Sequence, residues 1–476
     1  MSNSLKPLSS WKLLLLSLSA SLIFAYSAVA GEVFQNLSLN QAIELGLKNN
    51  IEKQISYQSA LIAESQYQQA LSARWPTINL QAGFQHRDQP PTFTNPAMNV
   101  ALPTQLSGAL AQGLGVNVTS INVPEQTIKM FNQNTSTASL QLLYPLYTGG
   151  KISSIINQAG IGKEIAQEEM RRTTLQVVRD VKRYYYAAQL TNELSKTARK
   201  IHSELSNTRD LTKSLYEAGS GTVNKLDYLK TEMAVSYAKS VEIDFAGKHK
   251  SAVAALANTM GLSWDGQITV ETPLKNEGVH TAQLESLVQQ ATEFNPQIGV
   301  LKLAVKASDE KINEARSAYF PQIALTADTT HYENVYDKGL ANGNNKNSWT
   351  IGIGVSMPLF NGFLTDHQVS TAKLQSSQMQ NKQKLLEQGV ATLVKNLLIE
   401  YETAHQQIEV SEQASKLADD HSDLTARAFQ IGASKPEDMV HASILQAITQ
   451  GNLLRARHDQ QLNLAELDYV LGSEAQ

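Results

Sequence analysis

Two stretches without proline decide most of what this chain can become. Lys151 to Tyr216 contains none, and neither does Phe363 to Ile431. Proline interrupts helix interiors because it lacks an N–H and clashes with the preceding turn. Left uninterrupted, each stretch of about 66 to 69 residues makes a helix near 100 Å long at about 1.5 Å per residue. Helices of ordinary domains average about 12 residues, so these must pack laterally, in coiled-coil fashion. The apolar stripe is narrow: Ile152, Ile155, Ile156, Leu175, Val178, Val181, Leu190, Leu194, Ile201 and Leu205, with many Ala, Ser, Gln and Asn between. At least one face is therefore wet. Each helix is expected to turn at Gly219 or Gly432 and return as a shorter helix, Thr222 to Thr259 or Pro436 to Leu471. Pro436 suits a first helical turn.

The chain repeats itself. Ala73-Arg74-Trp75-Pro76-Thr77-Ile78-Asn79-Leu80 returns as Ala318-Tyr319-Phe320-Pro321-Gln322-Ile323-Ala324-Leu325, 245 residues on. Leu39 with Leu284 and Asn50 with Asn295 keep that offset. Tyr144-Pro145-Leu146-Tyr147-Thr148-Gly149 matches Met357-Pro358-Leu359-Phe360-Asn361-Gly362 at 213, as Gly219 matches Gly432. Asp227 with Asp438 and Gly261 with Gly472 stand at 211. The first copy therefore carries extra residues between Leu80 and Leu140, where Pro90-Pro91, Asn95-Pro96, Gly113 and Gly115 read as a long loop. It also carries two extra residues at Gly219-Ser220-Gly221. The expected organisation is a signal segment 1–30, a first repeat 31–261, a connection 262–281 and a second repeat 282–476. Each repeat opens with a helix, Asn40 to Arg74 or Ala282 to Ala318, stopped by Pro76 or Pro321.

Four strands alternate with period two. Trp349 to Met357 is the clearest, with large apolar residues on one face and Thr, Gly and Ser on the other. Ile78, Leu80, Ala82 and Phe84 alternate in the same way, as do Leu140, Leu142 and Tyr144, and Ile323, Leu325 and Ala327. Such strands also suit a soluble sandwich, but four are few for a chain this long. The aromatics Phe84, Tyr144, Tyr319, Phe320, Tyr332 and Trp349 cluster at strand ends, as in a membrane-interface girdle. A membrane barrel needs at least about 8 strands, so four per chain imply a barrel shared among subunits.

Lys6 and Lys12, the apolar run Leu13 to Ile23 and Ala28-Val29-Ala30 before Gly31 have the layout of a secretory signal peptide. Without the two signal lysines the charge is -6, from 38 cationic and 44 acidic residues, a balance that argues against a nucleic-acid partner. Cysteine is absent, which excludes disulfides, thiolate metal sites and a lipid-modified N-terminal Cys. No later stretch reaches about 18 apolar residues, so entry into a membrane requires strands closed as a barrel.

Four motifs now resemble the TolC family of outer-membrane efflux and secretion channels. They are Leu37-Ser38-Leu39-Asn40-Gln41-Ala42-Ile43-Glu44-Leu45-Gly46-Leu47-Lys48-Asn49-Asn50; the Pro at each helix-to-strand junction; Pro-Leu-Tyr/Phe-x-Gly opening each long helix; and Tyr216-Glu217-Ala218-Gly219 with Phe429-Gln430-Ile431-Gly432 at the far turns. Their order, twice over, covers almost the whole mature chain. The resemblance implies a mixed, internally duplicated fold: a long α-helical coiled-coil barrel plus a transmembrane β-barrel shared by a homotrimer, four strands per chain. It implies an outer-membrane location reaching into the periplasm, contact with outer-membrane lipid, and no cofactor. It implies a channel exporting small molecules (drugs, toxins) or proteins in a tripartite efflux or type I secretion system. The partners implied are a periplasmic adaptor (membrane fusion) protein and, through it, an inner-membrane pump of RND or ABC type.

The resemblance also assigns a periplasmic gate. A carboxylate six residues after the turn glycine stands here as Asp227, after Gly221, and as Asp438, after Gly432. In a trimer Asp438 would recur around one axis and attract cations. The alternative role of both is a first-turn helix residue stabilised by the dipole. The family's second gate aspartate is replaced by His441, and its tethering Tyr and Arg by Phe429 and Ser434, with neighbouring Lys435 the candidate substitute for the Arg. Gly219, Gly221, Thr222, Gly432 and Lys435 form the turns expected to dock the adaptor. The competing reading is a structural trimeric coiled-coil surface protein. No enzyme constellation stands out: Asp419-Asp420-His421 reads as a solvated helix face, Tyr184-Tyr185-Tyr186 as packing, and Gly219-Ser220-Gly221-Thr222 lacks the P-loop ending.

Overall fold

The computed structural model describes residues 33–130, 133–263, 266–271, 283–333 and 346–473. The expected signal segment and residues 272–281 of the expected connection lie outside them. In chain order, the first part comprises β1 (Val33–Leu37), α1 (Leu39–Asn49), α2 (Ile51–Ser72), β2 (Thr77–His86), β3 (Thr92–Asn95), β4 (Met98–Ala101) and α3 (Thr104–Leu114). There follow β5 (Ser120–Val123), β6 (Gln126–Lys129), β7 (Asn134–Tyr147), α4 (Lys151–Glu217), α5 (Lys225–Thr259) and β8 (Gln267–Val270). The remainder is α6 (Leu284–Phe294), α7 (Pro296–Arg316), β9 (Gln322–Glu333), β10 (Asn347–Ser356), α8 (Leu364–Gln430) and α9 (Pro436–Leu471). The two long helices have 67 residues each. Contacts divide the chain into two units, 1–50 with 177–279 and 401–465, and 51–176 with 280–400 and 466–476.

The second of these units holds the sheet. β10, β9, β7 and β2 lie in that order, antiparallel throughout. Register explains the face chemistry, because residues paired across strands share a face. Leu80, Leu140, Thr329 and Trp349 form one cross-strand row; Ile78, Leu142, Ala327 and Ile351 form the next; Tyr144, Leu325 and Ile353 form a third. The opposite face carries Asn79, Gln141, Asp328 and Thr350 in one row and Gln81, Ser139, Thr330 and Ser348 in another. Leu80 is 74% exposed and Ile351 66%, a contiguous apolar surface that water does not favour. β2 and β10 each leave one edge without a partner strand among the described residues.

Both opening helices differ from expectation. Each breaks, at Asn50 and at Asn295, where one continuous helix was expected. The two asparagines adopt nearly the same extended conformation, φ -60 and ψ 127 against φ -63 and ψ 123. Asn50 Nδ2 donates to Thr259 O at 2.8 Å, and Asn295 Nδ2 donates to Val470 O at 2.9 Å. Beside them sit Gly261 and Gly472, at φ 70 and φ 67, packed against the backbones of Asn49 and Phe294. A side chain there would meet both a backbone clash and the left-handed region.

Each joint stands on a core. In the first unit, Val177, Val181, Leu256 and Met260 are buried with Ala42, Ile43, Ile268 and Val270. In the second unit, Val390, Val394, Leu467 and Leu471 are buried with Leu287, Ala291 and Ile298. Fully burying one such side chain contributes about 1.5–3 kcal/mol. The connection 262–281 also holds an element that the sequence did not suggest. β8 pairs in parallel with β1, and Ile268 and Val270 point inward by alternation. The long loop expected between Leu80 and Leu140 is structured too. β3 pairs with β6 and β4 with β5, with α3 between them. Pro96 and Pro124 mark the step between the two ladders, where a missing N–H does no harm.

Candidate functional site

The candidate gate lies at the two turns between long and return helices, both in the first unit. At the first turn, Ser220 N donates to Leu215 O at 3.2 Å and Gly219 N to Tyr216 O at 3.2 Å. Gly219 at φ 63 and Gly221 at φ 68 supply left-handed positions, as helix C-termini commonly require. Thr222 Oγ1 lies 2.8 Å from Ser220 Oγ. Asn224 then caps α5: its Oδ1 accepts from Asp227 N at 3.1 Å, and Asp227 Oδ2 accepts from Asn224 N at 3.1 Å. This is a reciprocal capping box.

The second turn repeats the logic with other residues. Ala433 N donates to Ala428 O at 2.8 Å, and Gly432 sits at φ 75. Asp438 Oδ2 accepts from Lys435 N at 2.9 Å, just ahead of Pro436. Both candidate gate carboxylates thus serve as caps of their return helices, near the positive dipole end. Ser434 Oγ donates to Thr425 O at 3.3 Å, anchoring the turn to the end of α8. Ser434, Asp438 and His441 line one open groove with His421, Leu424, Thr425 and Ala428; Asp227 lies outside it.

The aromatic positions of the two turns diverge. Tyr216 is exposed and stacks on Tyr228 with ring centroids 6.3 Å apart. Phe429, the matching residue, is buried, and so is Met439 opposite Tyr228 in the repeat. Phe429 therefore packs within the helices of its own chain.

One tip contact has no sequence signature. Lys230 Nζ on α5 meets Glu437 Oε2 on α9 at 2.8 Å, linking the two return helices. This hydrogen bond raises the Lys230 pKa and lowers that of Glu437 from their ordinary values. Asp227 adds to the field at Lys230, and His441 and Asp438 to that at Glu437. Both side chains are exposed, so the pair stabilises little. Its partners come from different repeats, which is why periodicity within one helix could not reveal it.

Farther along the first unit, Leu205, Tyr237, Phe245, Ile444 and Ile448 line an apolar groove of about 360 Å³ between α4, α5 and α9. Asn452 and Arg455 add its polar groups. Asp419, read from sequence as solvated, accepts from Gln446 Nε2 at 2.6 Å and Gln450 Nε2 at 2.8 Å. Among the described residues no cluster of His, Cys, Asp and Glu could hold a metal ion.

A pleated sheet with one apolar and one polar face, joined to helices of this length, defines an outer-membrane channel component. The sequence model described as Outer membrane efflux protein matches residues 58–262 and 287–473, and the chain belongs to this family. It is 23% identical to the solvent efflux pump outer membrane protein SrpC of Pseudomonas putida over 369 residues, 77% of this chain and 68% of that protein. The CmeC outer membrane channel of Campylobacter jejuni superposes with TM-score 0.73 at 14% identity, covering 92% of this chain and 87% of that one. The outer membrane protein VceC of Vibrio cholerae does so with TM-score 0.70 at 15% identity, covering 91% and 96%. The protein is thus an outer-membrane efflux channel component that extends into the periplasm, and not an enzyme. The surface-stalk reading is set aside.

Proposed function

We propose that the chain acts as a passive trimeric conduit. Three sheets of four strands would make about twelve, above the roughly eight that a membrane barrel needs. The observation that carries this reading is the sheet itself, apolar on one face, polar on the other and unpaired at β2 and β10. A lone sheet in lipid would leave those edge groups unsatisfied, at several kcal/mol each. Neighbouring copies, each offering β2 to the next copy's β10, remove the edges. The polar rows then face a water-filled lumen. The cargo is small molecules, the class named for SrpC.

In this reading the helix turns form the periplasmic entrance. Asp438 and Asp227 supply negative potential there, His441 and Ser434 complete the rim, and the turns around Gly219, Gly221, Thr222, Gly432 and Lys435 meet a periplasmic adaptor. The apolar groove between α4, α5 and α9 suits an amphipathic adaptor helix. An inner-membrane pump of RND or ABC type supplies the energy through that adaptor.

Native mass in detergent and planar-bilayer conductance test the conduit. A trimer that conducts is expected; a non-conducting monomer overturns it. Ile353→Arg puts a charge on the apolar face, costing about 2–4 kcal/mol near the bilayer midplane, and should block assembly. At the entrance, Asp438→Asn keeps an acceptor for Lys435 N and removes the charge. Weaker block by multivalent cations is expected; unchanged block would leave Asp438 a helix cap only.

A further inference from the structure

The segment between β2 and β7 is a single long arm. Pairing runs from Thr77↔Leu143 to His86↔Asn134, then from Thr92↔Lys129 to Asn95↔Gln126, then from Met98↔Val123 to Ala101↔Ser120. These nested pairs make one hairpin that continues the edge strand β2 outward and carries α3 at its end. From Gln89 to Pro124 it contains no Asp, Glu, Lys, Arg or His. No described residue from 87 to 130 is buried. Phe93, Met98, Val100, Leu106, Leu114 and Ile121 are between 47% and 73% exposed.

Such an arm is incomplete alone. Two strands without a covering layer are marginally stable in water. Free strand edges are normally protected by charged residues, Lys above all; β3, β4 and β5 carry none, and Glu125 and Lys129 belong to the part of the arm nearer the sheet. An uncharged surface offers nothing to steer a charged partner, and it brings no like-charge repulsion when identical copies meet.

We propose that the arms of neighbouring copies pack against one another beyond the membrane sheet, forming a self-associated cap at the outer mouth. The inference rests on the shared-barrel reading above, which sets the arms side by side. Two arms would be separated by β9 and β10, about four strand spacings or roughly 20 Å along the barrel wall. Each arm reaches at most about 50 Å beyond β2 at about 3.3 Å per residue, more than the roughly 20 Å that separates neighbours. The occupant of the apolar surface is thus the same surface on a second copy of this chain.

The absence of native cysteine makes the test direct. Leu106→Cys and Leu114→Cys, each alone in the full chain, are treated in outer membranes with a short bis-maleimide crosslinker. Covalent dimers from at least one position are the expected result. In the Cys background that crosslinks, Ile121→Lys should reduce the yield by about tenfold or more, the effect of about 1.4 kcal/mol, while native mass stays trimeric. A trimer whose arm cysteines react freely with a maleimide-polyethylene glycol and do not crosslink overturns the cap and leaves the conduit intact. Cysteines protected in outer membranes, released in detergent and never crosslinked would assign the surface to lipid, which also overturns it. A monomeric native mass removes the conduit reading itself.

Discussion

At Asn295 the next residue is Pro296; at Asn50 it is Ile51. Proline disfavours helical backbone in the residue before it, and Asn295 Oδ1 also accepts from Gln297 N at 2.9 Å and Ile298 N at 3.3 Å, capping α7. The second joint is therefore written locally. The first carries no proline, yet it reaches the same φ and ψ. It is held by its surroundings: Thr259 O on the asparagine, Gly261 under Asn49, Gly46 close against Val181, and the β1–β8 pair. Tyr185 Oη donates to Leu37 O at 2.9 Å, and the matching residue in the second copy is Leu398, which has no hydroxyl. One geometry thus rests on the same asparagine bond and glycine contact in both repeats, and Pro296 adds a local constraint in the second.

The strongest way to break both joints is through their glycines. Gly261→Ala and Gly472→Ala each add left-handed strain and a clash with backbone, together about 3 kcal/mol or more. Thermal unfolding of the detergent-solubilised protein should show large losses for both, and a neutral result at either would refute the close approach. Next in size are Leu256→Ala and Leu467→Ala, equivalent core positions that are 0% and 1% exposed. Each should cost about 2–5 kcal/mol, measured as a shift in denaturation midpoint. A much smaller loss at one would mean that the two cores are not equivalent.

Asn50→Ala and Asn295→Ala sharpen the contrast. Both lose a bond to a carbonyl and should cost about 1–3 kcal/mol, but the consequences differ. Hydrogen exchange should slow around residues 50–53 in Asn50→Ala, as α1 and α2 run together, whereas Pro296 keeps the second break open. Equal exchange behaviour would contradict the local origin of that break. The smallest effect belongs to Tyr185→Phe, about 1 kcal/mol. Burial, with help from the Glu271 carboxylate, pushes the Tyr185 pKa up to about 12. A raised folded-state pKa gives stability that is complete below the ordinary value near 10 and is lost as pH rises through 12. The advantage of the native protein over Tyr185→Phe should therefore shrink between about pH 10 and pH 12, followed by melting temperature. A constant difference would place Tyr185 in water.

The sheet was legible because period-two alternation over about six to nine residues, four times over, suits a pleated strand. The long helices were legible because absence of proline over such a length leaves no other regular structure. The arm was not, since Thr92–Asn95, Met98–Ala101, Ser120–Val123 and Gln126–Lys129 are too short to establish a period, and their flanking prolines read as loop. At the tips the glycines and both aspartates stand out in the sequence. Their caps are bonds between residues three apart, whereas the buried position of Phe429 and the Lys230–Glu437 contact do not stand out, because each depends on which helices lie side by side.

The long helices with their return turns, the four alternating strands and the two faces of the sheet follow from this amino-acid sequence alone. They rest on interactions within a few residues or on a period that every residue in the element obeys. The bond from Asn50 to Thr259, the β1–β8 pair and the pairing of tip charges were decided only by tertiary structure. Their partners are 209, 233 and 207 residues apart, and no local pattern encodes a hydrogen bond across that distance.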